Sequence, residues 1–130
     1  MEAEKKNLKI LLVDDDRFLI DMYVLKFKKS GLDIDTASNG TSALEKVKSD
    51  AKYDIILMDI IMPGMDGLEL LQKIRDEKLS PSSTIIMLTN QADDEEKAKA
   101  LGVDGFIIKA TTIPSEVVDM VLSIYKNKKK

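Results

Sequence analysis

The stretch "ILLVDDDRF", residues 10–18, drives four apolar residues straight into three aspartates. A short, continuous apolar run of this kind reads as a strand covered on both faces. Asp14, Asp15 and Asp16 repel one another at the edge of an apolar core, so their placement needs a cause. Asp16 has a local one, as the N-cap or first-turn acid of a following helix. Asp14 and Asp15 have none that is local.

The pattern repeats outward along the chain. "LKILLV" (8–13), "YDIILM" (53–58), "TIIMLT" (84–89) and "GFIIK" (105–109) all read as buried strands. "LDIDTA" (32–37) alternates, with Leu32, Ile34 and Thr36 on one side, as suits a sheet edge. Between the strands lie helical stripes: Leu19, Ile20, Tyr23, Val24 and Phe27, closed by Gly31; Ala43, Leu44 and Val47; Leu70, Leu71 and Ile74; and Val117, Val118, Val121, Ile124 and Tyr125. Residues 93–102, "DDEEKAKALG", offer only Ala98 and Leu101 for burial, so a short, loosely held helix is expected there. Alternating strand and helix define an α/β fold, a doubly wound five-stranded parallel sheet with helices on both faces. The closing "KNKKK" reads as a solvated helix end.

Composition narrows the chemistry. The 130 residues suit one domain with one core, and 44% apolar content excludes general disorder. There is no Cys and no His, which removes disulfides, thiolate chemistry and the commonest general base. Any metal is then a hard ion held by oxygens. A net charge of −3 gives no basic footprint for direct nucleic-acid binding. No apolar run reaches the length of a membrane span, and "MEAEKKN" at the start does not resemble a secretory signal.

In a parallel sheet all strands exit on one rim, where ligands bind. The first strand exits into Asp14 and Asp15, the third into Asp59, the fourth into Thr89 and the fifth into Lys109. Singly, each has an ordinary structural reading as a cap or a surface charge. As a set they describe something narrower. Clustered carboxylates call for a cation, and without His or Cys a hard divalent ion fits best. A hydroxyl and an ammonium beside that ion describe a phosphoryl site.

Taken in order, "LLVDDD", "DIILMDIIMPGMDGLELL", "IIMLT" and "ALGVDGFIIK" resemble the receiver domain of two-component response regulators, over about residues 8–126. The resemblance implies a flavodoxin-like fold with strand order 2-1-3-4-5, a single domain filling residues 1–130, and a basic tail at 127–130. It implies that Asp59 takes a phosphoryl group from a phosphohistidine on a sensor histidine kinase or a histidine phosphotransfer protein. Asp15, Asp59 and the backbone carbonyl of Ile61 are then direct ligands of Mg²⁺ (or Mn²⁺), and Asp14 acts mainly through water. Lys109 pairs with the phosphoryl oxygens, Thr89 donates its hydroxyl, and Phe106 is the aromatic that turns inward when Thr89 moves. Asp66 and Gly67 are loop and helix-start residues. The switched surface comprises the fourth helix, fifth strand and fifth helix, and faces a downstream target. The expected protein is a cytoplasmic signalling phosphoacceptor, catalysing only its own phosphorylation and dephosphorylation. It is a monomer or a phosphorylation-dependent dimer, without membrane attachment. The start at Met1 favours a stand-alone protein or an N-terminal domain.

Some positions depart from that pattern. The family usually carries proline after the lysine, often with a cis bond; here Ala110 follows Lys109. A cis bond before a non-proline costs about 3 kcal/mol. The expectation is therefore either an enforced cis bond or a trans loop that aims Lys109 elsewhere. Asn90 is larger than the small residue common after the threonine, and would narrow access. Ile61 and Gln91 flank the path of attacking water; an apolar Ile61 cannot orient it, which implies a long-lived acyl phosphate.

Two rival readings come from other classes. A haloacid-dehalogenase-like phosphatase would use Asp14 as nucleophile with Asp16 as acid, but leaves Asp59 unexplained. A pseudo-receiver would bind partners without phosphorylation, against which the intact Asp14, Asp15, Asp59, Thr89 and Lys109 argue.

Overall fold

A computed structural model of the chain describes residues 8–49 and 52–129. The start "MEAEKKN" and the last residue of the basic tail lie outside them. Five parallel strands form one sheet: β1 Lys9–Val13, β2 Asp33–Ala37, β3 Ile55–Met58, β4 Thr84–Thr89 and β5 Gly105–Ile108. Their order is β2-β1-β3-β4-β5. The helices are α1 Arg17–Lys29, α2 Gly40–Lys48, α3 Gly67–Asp76, α4 Glu95–Ala100 and α5 Pro114–Lys129. This is the flavodoxin-like arrangement expected from the sequence. No helix among the described residues is long and apolar enough to cross a membrane.

The apolar strand runs are explained by two cores, one on each face of the sheet. Leu11, Val13, Ile56, Met58, Ile85 and Met87 point to the side of α2, α3 and α4. Ile10, Leu12, Ile55, Leu57, Ile86 and Leu88 point to the side of α1 and α5. Successive residues of a strand face opposite ways, so a strand covered on both sides must be apolar throughout. Each fully buried Leu or Ile contributes about 1.5–3 kcal/mol.

Helix ends follow local chemistry. Asp16 caps α1, its side chain accepting the Phe18 and Leu19 amides. Past the other end of α1, Gly31 takes the left-handed φ of +83° that glycine adopts without steric cost. Asp66 caps α3 in a reciprocal box with Glu69, as its reading as a helix-start residue anticipates.

Two expectations need correction. β5 is not covered on both faces. It is an edge strand in which only Ile107 is buried, on the side where α5 packs, while the short α4 leaves the other side half-covered. The segment expected to be helical from 93 begins instead with a 3₁₀ turn, Ala92–Asp94, and only Glu95–Ala100 is α-helix. Ala98 is fully buried and Leu101 half-buried, which leaves little to hold a longer helix. The start of the basic tail is part of α5, whose helix reaches Lys129.

Candidate functional site

The chain leaves β1 toward β2 on one side and later returns to lay β3 on the other, so a crevice opens between the exits of β1 and β3. Asp14 and Asp15 stand at the first exit and Asp59 at the second. One carboxylate oxygen from each of the three lies within 4.8 Å of the others. Asp14 is 1% exposed and Asp59 is 8% exposed, whereas Asp15 faces solvent.

Lys109 reaches this cluster from β5. Its Nζ donates to Asp14 Oδ2 at 2.7 Å and to Asp59 Oδ2 at 2.8 Å. No peptide bond among the described residues is cis, so the Lys109–Ala110 bond is trans. The expectation that a trans loop aims Lys109 elsewhere is therefore wrong: the long stem still delivers the ammonium to Asp59.

Backbone geometry holds each carboxylate in place. The Asp14 amide donates to Ala37 O at 3.1 Å and the Asp59 amide to Val13 O at 2.9 Å, which carries the sheet pairing one residue past the strands. Asp14 Oδ1 accepts the Asp16 amide at 2.9 Å, and Asp59 Oδ1 accepts the Ile60 amide at 2.7 Å. The loop after Asp59 folds back so that the Gly67 amide donates to Ile60 O at 2.8 Å.

Burial pushes the Asp14 carboxyl above the usual carboxylate range, although the Lys109 ammonium and the Asp16 amide both oppose it. Burial alone would lower Lys109, but its bonds to Asp14 and Asp59 outweigh that and hold it above an ordinary lysine. The cluster thus sets three carboxylates, the buried Asp14 among them, against one ammonium. An oxygen-only donor set of this kind fits a hard divalent cation and no soft metal.

Thr89 is fully buried at the end of β4, and its hydroxyl accepts the Gln91 amide at 3.2 Å. Phe106 is half-buried on β5 beside Met87, packed against the core of the α2, α3 and α4 side. Ile61 is 57% exposed on the β3–α3 loop. The structure thus brings Asp14, Asp15, Asp59 and Lys109 together, with Thr89 one strand away.

Two residues near the site escape the sequence reading. Tyr23 counts there only as core, yet its buried phenol feels Lys109, Asp14 and Asp59; burial first, and then both carboxylates, push it up against the opposing ammonium. Asn90 counts there only as bulk, yet its side chain bonds across the rim to Ala110. Neither contact has a local signature, since the partners lie on separate elements.

A parallel sheet with this strand order and an Asp–Asp–Asp–Lys rim defines a receiver-type signalling module. The chain belongs to the response regulator receiver domain family, whose model matches residues 10–121. Among its relatives is the transcriptional regulatory protein ResD of Bacillus subtilis, 38% identical over 95% of this chain and 50% of that protein. The response regulator protein VraR of Staphylococcus saprophyticus is 32% identical over 92% of this chain and 57% of its own length. The chain spans about half the length of the curated relatives it matches. Among solved structures, chemotaxis protein CheY4 of Vibrio cholerae superposes with a TM-score of 0.82 at 28% identity, covering 91% of this chain and 98% of that one. Response regulator TrrA of Thermotoga maritima, solved with Mg²⁺ and BeF, gives a TM-score of 0.78 at 31% identity, over 90% of this chain and 98% of that one.

Proposed function

We propose that Asp59 is the phosphoacceptor of this receiver domain, served by Lys109 and Thr89. The observation that carries the reading is the single Lys109 ammonium shared between Asp14 and Asp59 in a pocket of three carboxylates. An Asp59 carboxylate oxygen attacks the phosphorus of a phosphohistidine. The new O–P bond forms as the N–P bond breaks, and the departing imidazole takes up a proton from solvent. Lys109 follows the negative charge onto the phosphoryl oxygens and partly leaves Asp14. The Thr89 hydroxyl turns from the Gln91 amide to donate to another of those oxygens. Phe106 then moves into space vacated beside Thr89.

Asp14, Asp15, Asp59 and the Ile61 carbonyl would hold Mg²⁺ or Mn²⁺. Bound there, the ion supplies charge neutralisation between the acceptor and the incoming phosphoryl group. Magnesium in a chain 31% identical supports this assignment.

The domain core at 8–126 acts as one unit, with 127–130 a basic tail. Its donor is a sensor histidine kinase or a histidine phosphotransfer protein in the cytoplasm. It also catalyses its own dephosphorylation. The α4, β5 and α5 face changes with phosphorylation and meets the downstream target, as a monomer or as a dimer formed through that face. The phosphatase reading with Asp14 as nucleophile is disfavoured, because Asp14 is buried and committed to Lys109 and the Asp16 amide.

The test is intact mass after incubation with acetyl phosphate, with and without Mg²⁺. We expect a Mg²⁺-dependent gain of one phosphoryl group that disappears in Asp59→Ala. Label retained in that variant, or no label in the wild type, would overturn the assignment.

A further inference from the structure

Asn90 and Ala110 sit on different loops and meet across the rim of the sheet. Asn90 Oδ1 accepts the Ala110 backbone N–H at 2.7 Å. That N–H belongs to the peptide unit joining Lys109 to Ala110. The bond therefore grips the main chain directly behind the ammonium that bridges Asp14 and Asp59. On the other side, Asn90 follows Thr89 in a tight turn. Its own carbonyl accepts the Ala92 amide at 3.1 Å, while the Thr89 hydroxyl accepts the Gln91 amide at 3.2 Å. Ala110 sits inside a 3₁₀ turn, Lys109–Thr111, after which the Thr112 amide returns to Lys109 O at 3.3 Å.

We infer that Asn90 is a positioning residue for Lys109, and that it ties the turn of Thr89 to the loop that carries the lysine. The inference rests on the phosphoacceptor reading of Asp59. Lysine has a long, freely rotating stem, so fixing the peptide behind it narrows the volume its ammonium samples. Proline at position 110 would have no N–H to offer, so this device depends on Ala110. The two departures from the family pattern, Asn90 and Ala110, are thus the two halves of one contact. When Thr89 turns toward a phosphoryl group, Asn90 moves with it and the Ala110 peptide follows. The loop leading into α5 is then linked to the phosphorylation state through a single hydrogen bond.

A bond between two exposed loops has a plain alternative, as a minor support of the fold. A double-mutant cycle separates the two. The initial rate of phosphorylation by acetyl phosphate, at saturating Mg²⁺, is measured for wild type, Asn90→Ala, Ala110→Pro and the double variant. Asn90→Ala is expected to slow the wild type roughly fivefold and to have no further effect once Ala110→Pro has removed the donor. Equal slowing in both backgrounds, or none in either, overturns the inference. As a second measurement independent of proline, the Ala110 amide should exchange with solvent faster in Asn90→Ala, and the Lys109 side-chain resonances should shift. Unchanged Lys109 resonances with only a lowered melting temperature would assign the bond to stability alone. A wild type that takes no phosphoryl group overturns the Asp59 reading itself, an outcome distinct from an additive cycle in a labelled protein.

Discussion

Gly67 packs directly against the main chain of Asp59, so closely that a methyl group on Gly67 would overlap the Asp59 carbonyl oxygen and stand 2.8 Å from Ile60 Cα. The obstacle is backbone, which cannot rotate aside. Gly67→Ala must therefore push the first turn of α3 away from Asp59. We expect a loss of about 3 kcal/mol in urea unfolding, at the upper end for overpacking. Phosphorylation should fall with it. A variant as stable and as reactive as the wild type would mean that this backbone yields freely.

Lys109 is 9% exposed at its side chain and serves two carboxylates that are 1% and 11% exposed. Lys109→Ala leaves both without their counter-charge. Removing one partner of a buried pair costs about 3–5 kcal/mol. Mg²⁺ should restore a larger share of stability in the variant than in the wild type, because it binds the native cluster alone. Thermal melts with and without the ion check this. An equal Mg²⁺ effect in both proteins would argue that ion and ammonium do not share the carboxylates.

Ile61 is more than half exposed, two residues past Asp59, and has no group to orient water. Ile61→Asn should shorten the life of the acyl phosphate severalfold, well below the ~100-fold that a fully positioned proton-transfer group provides. Phosphate release after removal of the donor measures it. No acceleration would detach Ile61 from the control of lifetime.

Away from the rim, Asp35 accepts from Tyr53 at 2.7 Å and from Lys46 at 2.8 Å. Burial alone would raise Asp35, but these two bonds outweigh it and hold the carboxyl below its ordinary value. Burial first, and then the Asp35 bond, push Tyr53 up. Asp35 therefore contributes stability that is present above about pH 4 and is lost as pH falls through its folded value. Tyr53 contributes stability that is present below about pH 10 and is lost as pH rises through its raised value. Tyr53→Phe should cost about 1–2 kcal/mol at neutral pH. It should also begin acid unfolding at higher pH and flatten the alkaline limb. Urea midpoints across pH read all three effects, and an unchanged acid limb would remove Tyr53 from the Asp35 network.

The strands and the rim were legible because burial on both faces forces continuous apolar runs, and because strand exits are where polar side chains must begin. Asp14, Asp15, Asp59 and Lys109 could be brought together because the strands of a parallel sheet all exit on one rim. The edge position of β5 was not readable from "GFII", since an apolar run looks alike whether one face or both are covered. The trans approach of Lys109 was missed for a different reason. A four-carbon stem reaches the same point from more than one backbone path. The Asn90–Ala110 contact joins loops twenty residues apart, and the Tyr53–Asp35 bond joins the segment before β3 to β2, across the intervening β1. Neither contact has a periodic pattern to announce it.

Arg75 on α3 donates from Nε to Leu101 O at 3.1 Å and from Nη2 to Gly102 O at 2.6 Å. It thereby pins the far end of α4, while the near end, by Gln91 and Asp94, has no side-chain cap. A short rod fastened at one end and loose at the other is a lever with its fulcrum at Arg75. If phosphorylation moves Thr89, as proposed above, the displacement would enter at the free arm and be turned into rotation about Gly102. The exposed flank of Glu95–Ala100 would then swing as a whole, and the distant surface would read an angle where the site supplied only a shift.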